Sequence, residues 1–221
     1  MYWRLFDKLQ EYGEMLFLQE RIRDEVRAGK WEEGVVLFLE HYPVYTIGIR
    51  GTEKHILLSS DERERRGIAL YRTRRGGDVT YHGPGQLVIY PILDLRRSRF
   101  CSVKEFVVWW GDGLSRILNE QYGIPAHWDE KRTGIWVGRN KIAAVGLHVR
   151  QGVTAHGFAI NLDTDLTPFG GIIPCGIADG GVTSVARERG MSPRKEEMAL
   201  MIVRMLAKRY GSDNLKEYPR P

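Results

Sequence analysis

The sequence predicts an α+β, or mixed α/β, fold: a largely mixed or antiparallel sheet with helices before, between and after its strands. Three observations carry this expectation. Apolar residues recur at helical spacing near both ends of the chain, turn-joined strands fill residues 133 to 162, and no linker, repeat or low-complexity stretch divides the 221 residues. Residues 1–221 are therefore expected to form a single domain.

The elements follow in order. Leu9, Tyr12, Leu16, Ile22 and Val26 form one apolar stripe of a helix over 8 to 28, which Gly29 closes. Strand-like runs come next, VVLFLE at 35 to 40 and VYTIG at 44 to 48, joined across Pro43. A second helix starts at Ser102, where Ser102 and Glu105 fit a capping box. Cys101 and Phe106 occupy the flanking staple positions, which gives Cys101 a structural role. TGIWVG (133 to 138), KIAAVGLHV (141 to 149) and VTAHGFAINL (153 to 162) read as a meander turned at Arg139-Asn140 and Arg150-Gln151-Gly152. A last helix is expected from Ser192, with Pro193 in its first turn, Met198, Ile202 and Met205 on one face, and Gly211 at its end.

Composition narrows the function classes. At 43% hydrophobic and 28% charged residues the chain is ordinary globular material. Its N-terminus mixes charge with apolar residues and offers neither a signal core nor a membrane span, so a soluble, cytoplasmic protein with two reduced thiols is expected. The net charge of +5 favours an acidic partner. Arg72, Arg74 and Arg75 precede one glycine motif and Arg96, Arg97 and Arg99 follow a strand, so two basic patches are expected to flank one mouth. No nucleic-acid-binding motif accompanies them.

Cys175 stands out chemically. It lies in GGIIPCGIADGG (170 to 181), between Pro174 and Gly176, where a regular helix is forbidden and the backbone can approach a ligand. A lone cysteine on such a loop is a candidate nucleophile. With an ordinary pKa of about 8.5, it needs a nearby cation to supply thiolate at neutral pH. Lys141 is the candidate cation: it opens a strand and by period-two alternation shares a face with Ala143, Val145 and Leu147. His156 is expected beside the reacting groups rather than among them. Gly76-Gly77 and Gly83-Pro84-Gly85 bracket Thr80, Tyr81 and His82, a layout suited to an elongated substrate. These glycines lack dinucleotide or P-loop spacing, and no histidine pair has metal-ligand spacing.

Three blocks, RGGDVTYHGPGQ (75 to 86), NKIAAVGLHVRQGVTAHGFAINLDTDL (140 to 166) and PCGI (174 to 177), together resemble the lipoyl(octanoyl) transferase family of lipoate biosynthesis. The resemblance spans roughly residues 35 to 185 and implies the fold of the biotin/lipoate protein ligase catalytic domain. It implies that Cys175 is the catalytic cysteine and Lys141 the lysine that lowers its pKa. The implied substrate contacts are Arg75, Gly76, Gly77, Asp78, Val79, Thr80, Tyr81 and His82, then Ala144, Val145 and Gly146, then Gly157, Phe158 and Ala159. The chain departs from the family pattern at Gln151, where a second arginine is frequent, and at Ala155, where an aromatic is frequent and where a pocket could be widened.

The implied reaction moves an octanoyl group from octanoyl-acyl carrier protein, through a Cys175 thioester, to a lysine of apo lipoyl domains of 2-oxoacid dehydrogenase complexes or the glycine cleavage H protein. No ATP, metal or other cofactor is expected, and neither nucleic acid nor membrane is an expected partner. Backbone N–H groups around Gly76-Gly77 and Cys175-Gly176 are the expected oxyanion donors. Ile142, Ala144, Gly146 and Phe158 are the expected walls of an acyl slot. Two other readings are an ATP-dependent lipoate-protein ligase, a class that typically continues histidine-aspartate where this chain has His82-Gly83-Pro84-Gly85-Gln86, and a non-catalytic acyl-protein binding module.

Overall fold

The computed structural model describes residues 1–173, 180–211 and 214–219. Five helices are described: α1 (Tyr12–Arg27), α2 (Ser60–Arg65), α3 (Val103–Tyr122), α4 (Val185–Arg189) and α5 (Lys195–Tyr210). The strands are β1 (Tyr2–Leu5), β2 (Val35–Leu39), β3 (Val44–Ile47), β4 (Ala69–Arg72), β5 (Val79–His82), β6 (Gln86–Ile92), β7 (Ala126–Asp129), β8 (Gly134–Val137), β9 (Asn140–Arg150), β10 (Val153–Asn161), β11 (Gly181–Val182) and β12 (Lys216–Glu217).

One large mixed sheet runs β12-β1-β2-β6-β10-β9-β8-β7, and a small one runs β4-β3-β5. VVLFL of β2 and QLVIYPI of β6 are buried along their whole length, as strands covered on both faces must be. α1 covers one face with Met15, Leu18, Ile22 and Val26. On the other face, Phe106, Trp110, Leu114 and Leu118 of α3 meet Met198, Ile202 and Leu206 of α5. Each fully buried side chain of this size contributes about 1.5–3 kcal/mol of transfer free energy. The small sheet has its own cluster, built on Tyr45, Ile47, Val79, Tyr81 and Phe169.

The meander forms as expected, with Gln151 in the left-handed region at φ 52° in the β9–β10 turn. β2 and β3, joined across Pro43 as expected, belong to different sheets, because β2 pairs with β1 and β6 whereas β3 pairs with β4 and β5. Two expectations need correction. Cys101 is exposed and does not staple α3. Phe100 packs edge-on to Phe106 at 5.1 Å in its place, while Ser102 Oγ accepts the Glu105 N–H at 3.0 Å and the Glu105 carboxylate reaches past the cap to the Cys101 N–H at 2.7 Å. The last helix begins at Lys195 rather than Ser192, since Glu197 turns back to the Arg194 N–H and fixes the cap there. α3 ends on Gly123 at φ 60°, where the N–H groups of Gly123 and Ile124 satisfy the carbonyls of Asn119 and Leu118.

Candidate active site

The two sheets and α1 enclose a cavity of about 460 Å³. The turn between β4 and β5 supplies one wall, β9 and β10 the opposite wall, and Tyr12, Val88 and Tyr90 the floor.

Arg75 builds the first wall. The side chain is buried: Nε donates to Thr46 Oγ1 at 2.9 Å, Nη2 to the carbonyls of Thr46 and Asp78 at 2.6 Å each, and Nη1 to Gly76 O at 2.9 Å. A buried guanidinium is tolerated when its donors are matched this fully. The turn is braced further by N–H groups of Gly48, Ile49 and Arg50, which bond to the carbonyls of Asp78, Arg75 and Gly77. Asp78 is likewise occupied, its carboxylate accepting from Val79 N at 2.8 Å and from His55 Nδ1 at 2.6 Å. Gly76 donates its N–H to Leu147 O at 2.8 Å, so it is not an oxyanion donor as expected. No Cβ fits easily opposite: one on Gly146 would stand 3.1 Å from Gly76 O.

Lys141 reaches the cavity by a route that simple alternation misses. The β8–β9 register shifts between Ile135, paired with Ala143, and Trp136, paired with Lys141. Ile142 and Ala143 both turn into the core, so Lys141 joins Ala144 and Gly146 on the cavity side instead of sharing a face with Ala143. Ile142, expected as a wall of an acyl slot, is a core residue for the same reason. Lys141 Nζ lies 4.9 Å from the centre of the Trp136 ring, and the chain at Gly134 must lack a Cβ, which would stand 3.0 Å from Lys141 Cε. On its other side β9 pairs with β11, Val182 opposite Lys141, and Thr183 N–H donates to Lys141 O at 3.0 Å.

Of the other expected contacts, Gly77, Val79, Thr80, His82, Val145, Gly157, Phe158 and Ala159 line the cavity. Tyr81 does not: it packs between Tyr45 and Phe169, with ring centres 5.9 and 5.5 Å away, because alternation along β5 turns it into the core of the small sheet. Ala155 is buried but is not a lining residue, so it leaves the pocket's width alone. Cys175 and its neighbours from 174 to 179 lie outside the described residues. The chain on one side of them is fixed by Ile173 N–H donating to His55 O at 2.8 Å, and on the other by the pairing of β11 with Asn140 and Lys141.

His82 belongs to a polar chain that sequence reading did not single out. Thr183 O accepts from Asn161 Nδ2 at 2.9 Å, Asn161 Oδ1 from Gln86 Nε2 at 2.9 Å, and Gln86 Oε1 from His82 Nδ1 at 2.6 Å. Gln86 and Asn161 stood in the recognised blocks, yet only their pairing across β6 and β10 reveals the link. His41 is similarly fixed: Nδ1 donates to Gln10 O at 3.0 Å, which leaves Nε2 to accept from the Tyr90 hydroxyl at 2.8 Å.

His156 interrupts β10 at φ 57°. By the β6–β10 register it faces Pro91, which has no N–H to give, and the His156 N–H turns to Gln19 Oε1 on α1 at 2.7 Å. Thr154 Oγ1 donates to the Pro91 carbonyl at 2.6 Å. Nδ1 of His156 is buried without a hydrogen-bond partner among the described residues. Burial lowers the pKa of His41 to about 4 and of His156 to about 3, the positive charge of Arg75 adding to the latter, and it holds His82 well below 6.5. The two imidazoles that line the cavity, His82 and His156, are thus held uncharged, while Lys141, Lys131, Arg50, Arg75 and Arg132 bring positive charge to its walls. Among the described residues no cluster of three histidine, cysteine or acidic side chains is arranged to hold a metal ion, and no helix is long and apolar enough to cross a membrane.

Comparison with known proteins places the chain. Residues 11–207 match the family model described as the lipoyl protein ligase A/B catalytic domain. An octanoyltransferase of Caldicellulosiruptor bescii is 46% identical over 91% of this chain and 88% of its own length. In fold, a lipoate-protein ligase A bound with ATP superposes with a TM-score of 0.74 at 19% identity, covering 100% of this chain and 89% of that one. A biotin protein ligase from Aquifex aeolicus reaches 0.54 at 14% identity, covering 97% and 70%. Mixed sheets with helices on both faces are common to this chain and those ligases, as the sequence led one to expect. The chain belongs to the lipoyl protein ligase A/B family, and within it to the octanoyltransferases.

Proposed function

We propose that this octanoyltransferase carries its acyl group on Cys175 and uses Lys141 to move the protons. The reaction is octanoyl transfer to protein during lipoylation; the donor is octanoyl-acyl carrier protein, and the acceptors are lysines of apo lipoyl domains. The Cys175 thiolate attacks the donor thioester, the C–S bond to the carrier breaks, and the carrier sulfur leaves with a proton from the Lys141 ammonium. The acceptor amine then attacks the acyl-enzyme, an amide forms, the thiolate returns, and the amine proton passes back to Lys141. One thioester replaces another and the amide step is downhill, so no ATP, metal or other cofactor is required. That separates this reading from an ATP-dependent ligase, whose members share the fold at 19% identity or less.

The observation that carries the proposal is the placement of Lys141. A bulge turns it into the cavity, and the strand that leads out of the Cys175 segment pairs with it at Val182. Gly77, whose neighbour Gly76 is bonded to Leu147, is the remaining expected oxyanion donor in that turn.

The test is incubation with octanoyl-acyl carrier protein in the absence of ATP, read by intact mass and peptide mapping. One octanoyl adduct on Cys175 is expected, retained in Cys101→Ala and absent in Cys175→Ala. An adduct on Cys101, or a strict requirement for ATP, would sink the proposal.

A further inference from the structure

The arginine runs that the sequence offers do not hold together as two basic patches. Arg75 is buried in its turn, Arg72 pairs with Glu53 at 3.4 Å, and Arg99 donates to Arg209 O on the α5 side. Arginines distant in sequence meet elsewhere. A second, polar cavity of about 240 Å³ is lined by Glu20, Arg23, Asp24, Arg27, Arg150 and Gln151, from the latter half of α1 and the β9–β10 turn.

Arg23 is its unusual member. Its side chain is 9% exposed, and the ion pair it makes is with Glu20, 66% exposed and 3.5 Å away. A buried guanidinium with so open a counter-charge is incompletely compensated and favours a further anion. Arg27 donates to Gln151 and pairs with Asp24 at 3.7 Å. Around the same turn, Arg96 lies over Gly152, where a Cβ would stand 2.6 Å from its Nε, and Arg97 lies 3.1 Å from a Cβ on Gly29. Those two share Asp94. Five arginines therefore meet three carboxylates here. The field is felt nearby: burial first, then Arg23, Arg74 and Arg150, lower the pKa of His148.

β9 connects this face to the catalytic cavity, since Arg150 lies three residues, or about 10 Å, beyond Leu147 on the rim. We propose that the face built on Arg23, Arg27 and Arg150 docks the acidic surface of the acyl carrier protein, so that its acyl arm enters the cavity along β9. This rests on the reading of the donor given above. Charge assigns the surface to the donor: an acceptor must bring a lysine ammonium past it, whereas a carrier brings carboxylates and an uncharged thioester.

The experiment compares wild type with Arg27→Glu/Arg150→Glu, both exposed positions outside the catalytic cavity. The KM for octanoyl-carrier should rise on the order of tenfold with a weaker salt dependence, while kcat, the KM for the lipoyl domain and activity on protein-free octanoyl-pantetheine stay unchanged. An unchanged carrier KM, or a rise confined to the lipoyl domain, would overturn the assignment. So would an equal loss with octanoyl-pantetheine, which would mean a disturbed cavity, or a loss already complete with octanoyl-phosphopantetheine, which would mean a phosphate site instead of a protein surface. If wild type fails to transfer from the carrier, the donor reading is what fails. The surface is then judged by titrating fluorescent carrier alone: tenfold weaker binding by the variant supports it, and equal binding removes it.

Discussion

Lys141 shows how one extra residue decides which side chains meet. With strict alternation it would point with Ala143 into the core; because Ile142 and Ala143 both turn inward, the ammonium reaches the cavity instead. The lysine was legible as a candidate, but its face was not, since a bulge is a property of two paired strands and one strand's sequence does not declare it. Arg75 carries the complementary lesson. Read as a substrate contact, it lines the cavity, yet its guanidinium holds the carbonyls of Thr46, Gly76 and Asp78. If Lys141 sustains the Cys175 thiolate, Lys141→Met should move the pH profile of Cys175 alkylation by iodoacetamide upward, toward about 8.5, because an opposite charge within about 4–6 Å favours the ionised thiol. Lys141→Arg should keep thiol reactivity but lose transfer, as arginine does not give up its proton. A profile unmoved in Lys141→Met would separate the lysine from the cysteine.

Elements marked by local signals were read closely. The cap at Ser102, the stop at Gly211 and the two turns of the meander each rest on a few adjacent residues whose chemistry is self-contained. Elements defined by distant partners were not. β1 hides in a charge-mixed start because its sheet partners lie at Val35–Phe38 and Lys216–Glu217, and β6 shows in the sequence only as the strand that Arg96 follows. β10 combines both cases. Its apolar alternation was visible, but the break at His156 follows from Pro91 on the facing strand and Gln19 on α1. The same close approach makes Gly157 irreplaceable: a Cβ there would lie 2.1 Å from Ile89 O and 2.6 Å from Pro91 Cδ, whereas one on Gly170 would meet nothing within 4 Å. Gly157→Ala should therefore cost about 1–3 kcal/mol in urea unfolding, as overpacking against backbone does, and Gly170→Ala much less. Equal midpoints for the two variants would show that β10 can move away from β6.

Across the whole molecule, one consequence of the fold is stability that depends on pH. At and behind the cavity floor, His41, His82 and His156 pack against Tyr12 and Tyr90, with ring centres 5.0 to 6.3 Å apart, and Arg75 and the His148 imidazole lie close enough to oppose further positive charge. Burial depresses all three folded pKa values, to about 4 for His41 and about 3 for His156. In the unfolded chain the same imidazoles titrate near 6.5. The sign follows: as pH falls below about 6.5 the unfolded state takes up protons that the folded state refuses, so stability is full above that value and declines until the folded pKa values are reached. The slope is about 1.4 kcal/mol per pH unit for each histidine and approaches ~4 kcal/mol per unit for the three together. Carboxylates with lowered pKa, such as Asp94 and Asp129, add losses of the same sign only in stronger acid, leaving the range from about 6.5 to 5 to the imidazoles. Urea unfolding at pH 7.5, 6.5 and 5.5 should show a plateau and then a steep fall. His41→Gln should flatten that fall by roughly a third, even though losing the Tyr90 and Gln10 contacts lowers the plateau. Stability that stays level down to pH 5, or a slope untouched by the substitution, would mean that the folded cavity accepts protons as readily as the unfolded chain does.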